Sequence, residues 1–296
     1  MAGATTSNPS VGFVTNAGAI RTAGRHERPG MTIDVEQFAA SARPVKFDDL
    51  DLANAFRDRP LKPETLRCLR YMHDIESHTV CYLRDLLLTE SHRDPRITTF
   101  LTTWAWEEQW HGVALGKVLE AHGEVAGNER VSATRRSLGV KDRLAPLLNT
   151  LGSVLARRDF VAVHMTWGAL NEWSTQAGYA RLAELDDHPV LVELLERIQR
   201  QESRHIAFYA TEARERLADS PRARKLVRLA LTRLWAPVGS GVVPKEETAF
   251  LVQHLLGGEG GDAWVKKLDQ RLERLPGMEG MKLVEGEVQR WYAVAA

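Results

Sequence analysis

The sequence predicts an all-α fold, and three observations carry that prediction. No stretch of useful length alternates apolar and polar residues, and no Asn-Gly hairpin turn is present. Proline recurs just inside apparent helix starts, at Pro63, Pro95, Pro189 and Pro221, where its missing N–H is no loss. Between these marks run four helical patterns of roughly 25 to 40 residues, far beyond the average helix. Long helices with short connections pack as an antiparallel bundle.

Taken in order, residues 1–44 read as a disordered or extended N-terminal segment, rich in Gly, Ala, Ser and Thr. The bundle is expected over 45–236. Its first long helix starts at Pro63 and runs to about Leu88. Asp94 then caps a second, with Pro95 at its first position and Gly123 as its stop. A short segment of mixed charge covers about 130–144. The third long helix is expected from about Pro146 to Leu185, with a possible break at 157–160. "DDHPV" opens a fourth, to about Leu217, and "DSPRA" opens another that ends at "WAPVG". Residues 237–296 hold glycine-rich turns and short helices, near 245–256 and 262–274, expected to pack on the bundle.

The bulk numbers exclude several classes. The chain has 296 residues, 44% of them hydrophobic, enough for a sizeable core. Lys plus Arg and Asp plus Glu balance at 39 each, so no basic excess points to nucleic acid. Two cysteines, Cys68 and Cys81, make neither a disulfide framework nor a zinc site. No run of 18 uncharged apolar residues predicts a transmembrane helix. The expected location is the cytoplasm.

The chemistry lies in a spacing. Residues three apart on a helix share a face. Glu108 and His111 in "WAWEEQWHG" do so, as do Glu202 and His205 in "QESRHI". Glu-x-x-His pairs on two helices, with a single Glu on each of two others, are the ligand set of dinuclear carboxylate bundles. Apolar neighbours flank each pair: Leu101, Trp104 and Leu115 around Glu108, and Leu195, Ile198 and Tyr209 around Glu202. Each pair therefore faces a core, where an unpaired charge is costly. The other two long helices should each hold one inward carboxylate. Glu76 and Glu172 meet that requirement. The metal ligands expected are Glu76, Glu108, His111, Glu172, Glu202 and His205, with Glu108 and Glu202 bridging and Glu76 and Glu172 terminal. Oxygen donors with imidazole suit iron or manganese. Glu107 points about 100° away from Glu108 and is read as uninvolved. His73, one turn before Glu76, is read as a core or supporting histidine rather than a seventh ligand.

These motifs resemble the soluble acyl-[acyl-carrier-protein] desaturases, of the plastid stearoyl type and their actinobacterial relatives, within the ferritin-like di-iron carboxylate superfamily. Trp104, Glu108, His111 and Gly112 are similar to that family's second-helix motif, "NEWST" (171–175) to its third-helix motif, and "ESRH" (202–205) to its last. The resemblance covers roughly residues 45–235. It implies a ferritin-like four-helix bundle with extra flanking helices, a homodimer, two iron ions (or a manganese–iron pair), O2 as co-substrate, an acyl chain delivered by acyl carrier protein, and a ferredoxin-type electron donor. Thr175, three residues after Glu172, is the implied catalytic residue, assisting proton delivery. Trp104, Gln201 and Trp110 are expected to stand behind the ligands. Gln201 replaces the family's usual Asp, and Gln109-Trp110 its usual Asn-Arg, which puts the ordinary reaction in doubt. Met72, Met165, Trp167 and Leu115 are the candidate channel residues. Basic residues suited to an acidic carrier protein are Arg157 and Arg158, or Arg57, Arg59 and Lys62.

The expected activity is O2-dependent desaturation. The alternatives are a di-iron hydroxylase, an N-oxygenase, or a degenerate metal-binding paralogue without activity. An N-oxygenase would be expected to carry a histidine where this chain has Ile198.

Overall fold

A computed structural model describes residues 33–295; the side chains of 140–145, 148, 149, 294 and 295 are not described. The expectation for residues 1–32 lies outside the described residues. All regular structure among the described residues is helical, apart from one isolated bridge between Ser240 and Val243. In chain order the helices are α1 (Val35–Ala40), α2 (Leu52–Ala55), α3 (Pro63–Leu87), α4 (Pro95–Ala121), α5 (Gly127–Leu138), α6 (Val140–Ala156), α7 (Arg158–Leu185), α8 (Pro189–Asp219), α9 (Pro221–Leu234), α10 (Lys245–Leu256), α11 (Gly258–Glu273) and α12 (Leu283–Ala295). A 3₁₀ turn, Glu90–Arg93, joins α3 to α4.

Three of the four long helices, α3, α4 and α8, begin at the expected prolines Pro63, Pro95 and Pro189. Asp94 accepts from Arg96 N at the start of α4, and Ser220 accepts from Ala223 N at the start of α9. Such a cap stabilises by about 1 kcal/mol. Asp186 acts at a distance instead: it accepts from Thr65 Oγ1 and Lys62 N, tying the end of α7 to the start of α3.

Three boundaries differ from expectation. The chain is helical and packed before residue 45: Asp34 caps α1, and buried Phe38 lies 5.3 Å from the Phe100 ring. The third long helix breaks within the expected window 157–160, at Arg157, whose φ of +54° is a left-handed conformation that interrupts the helix; what differs is the start, because the helix before the break, α6, begins at Val140 with Pro146 inside it, and α7 begins at Arg158. At the C-terminal end a third helix, α12, follows the two anticipated.

α3 and α4 pack antiparallel, with Glu76 beside Gly112 and His73 beside Gly116. A Cβ at Gly112 would come within 3.2 Å of Ser77 N, so glycine permits the helices to approach. α7 and α8 form the second antiparallel pair, Gln176 meeting Ser203 and Glu172 meeting His205. Across the pairs, α4 meets α8 through Glu107 and Arg204, and α3 meets α7 through Glu76 and Tyr179. The interior is layered. One apolar cluster gathers Ile97–Ala105, the first half of α7 and the last half of α8. Another gathers the first half of α3, Ala114–Leu119 and Leu191–Ile198. The six carboxylates and imidazoles lie in a belt between them.

Gly168 fixes one crossing point. A Cβ there would collide with the ring of buried Tyr209, itself wedged edge-on against Phe100 and Trp104. Gly168→Ala is expected to destabilise the chain by about 1–3 kcal/mol, as overpacking does. Denaturant unfolding measures this, and an unchanged midpoint would refute the tight crossing.

Candidate metal centre

Four helices each bring part of one buried cluster: Glu76 from α3, Glu108 and His111 from α4, Glu172 from α7, and Glu202 and His205 from α8. All six are at most 6% exposed. The donor atoms fall into two groups, Glu76/Glu108/His111/Glu202 and Glu108/Glu172/Glu202/His205. Within each group one ligand atom per residue lies within 4.8 Å of the others. Glu108 and Glu202 belong to both groups, while Glu76 and Glu172 belong to one each.

The imidazoles are oriented for this role. His111 Nδ1 lies 3.0 Å from Glu108 Oε2 and 3.3 Å from Glu202 Oε1. His205 Nδ1 lies 3.1 Å from Glu108 Oε1, 3.2 Å from Glu202 Oε2 and 3.6 Å from Glu172 Oε2. The Nε2 atoms point outward to acceptors: His111 to Gln201 Oε1 at 2.9 Å, and His205 to Glu107 Oε2 at 2.9 Å. With Nε2–H donating outward, Nδ1 can turn a lone pair to a cation. Glu202 Oε1 is buried, and its nearest donor, His111 Nδ1 at 3.3 Å, does not meet it in good hydrogen-bond geometry. An oxygen so placed, among oxygen and imidazole donors and no thiolate, fits a hard or borderline cation.

The residues behind the ligands are not alike on the two sides. Gln201 is a neutral acceptor, held by its own donation to Arg43 O at 2.8 Å. Glu107 is a carboxylate, fully buried, and paired with Arg204 at 3.0 Å. Arg204 in turn donates to Phe38 O and Ser41 Oγ, which makes α1 part of the support. Glu107 is therefore involved, contrary to the sequence expectation, although it points away from Glu108 on its own helix. α8 packs against that other face and brings His205 to it. A polar acceptor directly before each Glu-x-x-His pair, Glu107 and Gln201, was the available signal. Trp104 Nε1 donates to Glu172 Oε1 at 3.0 Å, and Tyr179 donates to Glu76 Oε1. Trp110 does not stand behind a ligand. It is half-buried against the second apolar cluster, edge-on to Trp106 at 6.3 Å.

Charge is balanced within the cluster. Burial, then the neighbouring carboxylates, hold Glu76 and Glu172 well above the ordinary range, so both keep protons. Burial also pushes Glu108 up, but the hydrogen bond from Glu76 and the two imidazoliums reverse this and leave it well below. Glu202, raised by burial and by Glu108, is brought below its ordinary value by the same histidines. Burial opposes charge on His111, yet Glu108 and Glu202 push it up to about 10. His205 is likewise raised: burial is outweighed by Glu107 and Glu108. Two divalent cations would need all four carboxylates ionised and both imidazoles neutral, so loading them expels protons from two carboxyls and two imidazoles.

The sign for stability follows. For Glu76, Glu172, His111 and His205 the folded chain binds protons that the unfolded chain releases, so stability falls as pH rises above the unfolded values. For Glu108 and Glu202 it falls as pH drops through the folded values. Chelator-treated protein is therefore expected to lose Tm steadily from about pH 6.5 to pH 9, the range over which unfolded histidine has shed its proton. Loading metal should reverse that slope. A flat Tm across this range in both forms would contradict the charge assignment.

Two cavities reach the centre. One, of about 440 Å³, is lined by Glu76, Glu108, Glu172 and Thr175, with Trp104, Trp167, Asn171 and Tyr209. The other, of about 80 Å³, is almost wholly apolar and is lined by Met72, Ile75, Gly178, Val252, Leu255 and Val288. Glu76, Ile75, Thr175, Pro237 and Val238 line both. Met72 and Trp167 thus line cavities. Met165 and Leu115 do not: they are fully buried in the two apolar clusters and line neither cavity.

Other residues singled out from the sequence have structural places. His73 Nε2 accepts from Gly127 N at 2.9 Å and belongs to neither ligand group. Ile198 is buried in the second apolar cluster. Arg57, Arg59 and Lys62 bind Asn54, Asp187 and Leu185 O within the chain, whereas Arg157 and Arg158 are exposed. Cys68 and Cys81 form no disulfide, and burial pushes the Cys68 thiol up to about 12. No described helix is long and apolar enough to cross a membrane. The chain matches no protein-family model, no curated protein and no solved structure.

Proposed function

We propose that the chain is an O2-dependent di-iron oxidase of ferritin-like four-helix-bundle architecture, acting on an acyl chain carried by acyl carrier protein and introducing a double bond. The observation that carries the reading is the pair of four-residue groups sharing Glu108 and Glu202, which open through Glu76, Glu108 and Glu172 onto a cavity. In this reading Glu76, Glu108, His111 and Glu202 would hold one ion and Glu108, Glu172, Glu202 and His205 the other, Glu108 and Glu202 serving both. Bound iron would supply the oxidising power to break an unactivated C–H bond. The protein's part is positional. Gln201 and Glu107 hold the imidazoles, while Trp104 and Tyr179 hold the terminal carboxylates. Thr175, on the cavity wall one turn beyond Glu172, is placed to pass a proton. The apolar cavity at Met72 and Leu255 excludes water from the far end of a chain. The electron donor is proposed to be of ferredoxin type and the assembly a homodimer, both on the resemblance of the motifs.

The test has two parts. Anaerobic loading with ferrous iron is expected to leave two ions per chain. Fewer than one would favour a degenerate paralogue and overturn the metal reading. The loaded chain, given acyl-[acyl-carrier-protein], ferredoxin, its reductase and O2, is expected to yield an alkene detectable by mass spectrometry. Two bound irons with neither alkene nor alcohol would leave the centre standing and remove the acyl oxidase.

A further inference from the structure

The chain as a whole is neutral, but residues 130–158 are not. They hold Arg130, Arg135, Arg136, Lys141, Arg143, Arg157 and Arg158 against the single acid Asp142; Arg130 is paired with Asp74 and Arg135 donates to Ser77 O, while Arg136, Arg157 and Arg158 are exposed. Between Arg143 and Arg157 there is no charged residue. This stretch forms most of α6, and α6 packs inside out. Its Ser153 is buried, with the hydroxyl accepting from Glu90 N at 2.6 Å, and Thr150 Oγ1 bonds Pro146 O. Leu147, Leu151, Val154 and Leu155, which share one helical stripe, are 58–71% exposed. Leu87 and Leu88 at the end of α3 extend the patch, since Thr150 Oγ1 also approaches Leu88 O at 3.4 Å. Such a helix turns Ser153 and Thr150 toward the rest of the fold, and among the described residues nothing covers its four exposed apolar side chains.

We propose that this face docks on an anionic lipid surface. An apolar stripe with exposed Arg136 before it in the chain and exposed Arg157 and Arg158 after it is the pattern of a helix lying in the interfacial plane, its leucines among the acyl chains and its bases on headgroup phosphates. The absence of charge between 143 and 157 argues against an acidic protein as the occupant. Such a partner needs cations within the contact, not only at its ends. The inference is independent of the metal reading, because no residue of the face is a candidate ligand.

The 296-residue chain is tested by co-sedimentation with vesicles of phosphatidylcholine alone and of phosphatidylcholine with phosphatidylglycerol. It is expected to pellet with the anionic vesicles at low salt and to be released as salt rises. The quadruple variant L147S/L151S/V154S/L155S should bind more than about tenfold more weakly, and R136E/R158E should lose the preference for anionic vesicles. Both variants alter exposed positions, so unchanged circular dichroism and thermal unfolding serve as folding controls, and R136E/R158E decides if the quadruple variant misfolds. The proposal is overturned if wild type ignores anionic vesicles, if both variants bind as wild type does, or if holo-acyl carrier protein alone occupies this face.

Discussion

Glu202→Ala is expected to remove both metal ions from the chain, and Glu172→Ala only one. The difference follows from the geometry: Glu202 and Glu108 belong to both groups of ligands, Glu172 and Glu76 to one each. A terminal variant keeps one complete group of four donors. A bridging variant leaves each group with three, and leaves His111 and His205 facing each other across the gap, their ring centroids 6.0 Å apart, with fewer anions to balance them. Loss of a direct ligand should exceed the roughly 10–100-fold penalty for losing a supporting partner. Metal content after equilibration at micromolar iron reads this directly: two ions in wild type, one in Glu76→Ala and Glu172→Ala, none in Glu108→Ala and Glu202→Ala. Two ions retained by Glu202→Ala would mean that the sharing seen in the geometry is not a bridge.

The six cluster residues were legible because their signal is local. A spacing of three puts Glu108 with His111 and Glu202 with His205 whatever the tertiary fold, and a lone acid on an apolar face, as at Glu172, must be explained by something inside. What escaped depends on how helices meet. Glu107 looked dispensable on α4 alone, and it takes α8 to show that its face meets His205 and Arg204. Trp110 stood out as an unusual residue in a resembling motif, yet its side chain turns to Trp106 and away from the ligands. Channel residues were the least legible. Met72 and Met165 look alike in periodicity, but one borders a void and the other is packed on all sides, a distinction made by volumes across helices rather than by pattern. α1 is short enough that six residues show no period, although Asp34 with Glu36 and Gln37 behind it was a readable start.

Glu107→Gln is expected to weaken the His205 side selectively, by about 10–100-fold in metal affinity. Each histidine is held through Nε2 by the residue preceding the other helix's shared glutamate. The two holders differ in chemistry: Glu107 is a carboxylate paired with Arg204, and Gln201 is a neutral amide. An anionic acceptor makes the imidazole it holds a stronger donor, so the two positions should bind with unequal affinity in wild type, the His205 side first. Glu107→Gln should make them nearly equal, and Gln201→Glu should strengthen the His111 side. The double exchange, E107Q/Q201E, should reverse the order. Glu107→Gln keeps the volume, and Arg204 is partly exposed and keeps Phe38 O and Ser41 Oγ as partners, so the fold has little reason to fail. Calorimetric titration with manganese separates the two steps, and crystals grown with less than one equivalent of metal show which position fills first. If wild type fills the His111 side first, or if the double exchange leaves the order unchanged, the charge of the supporting residue does not set the asymmetry.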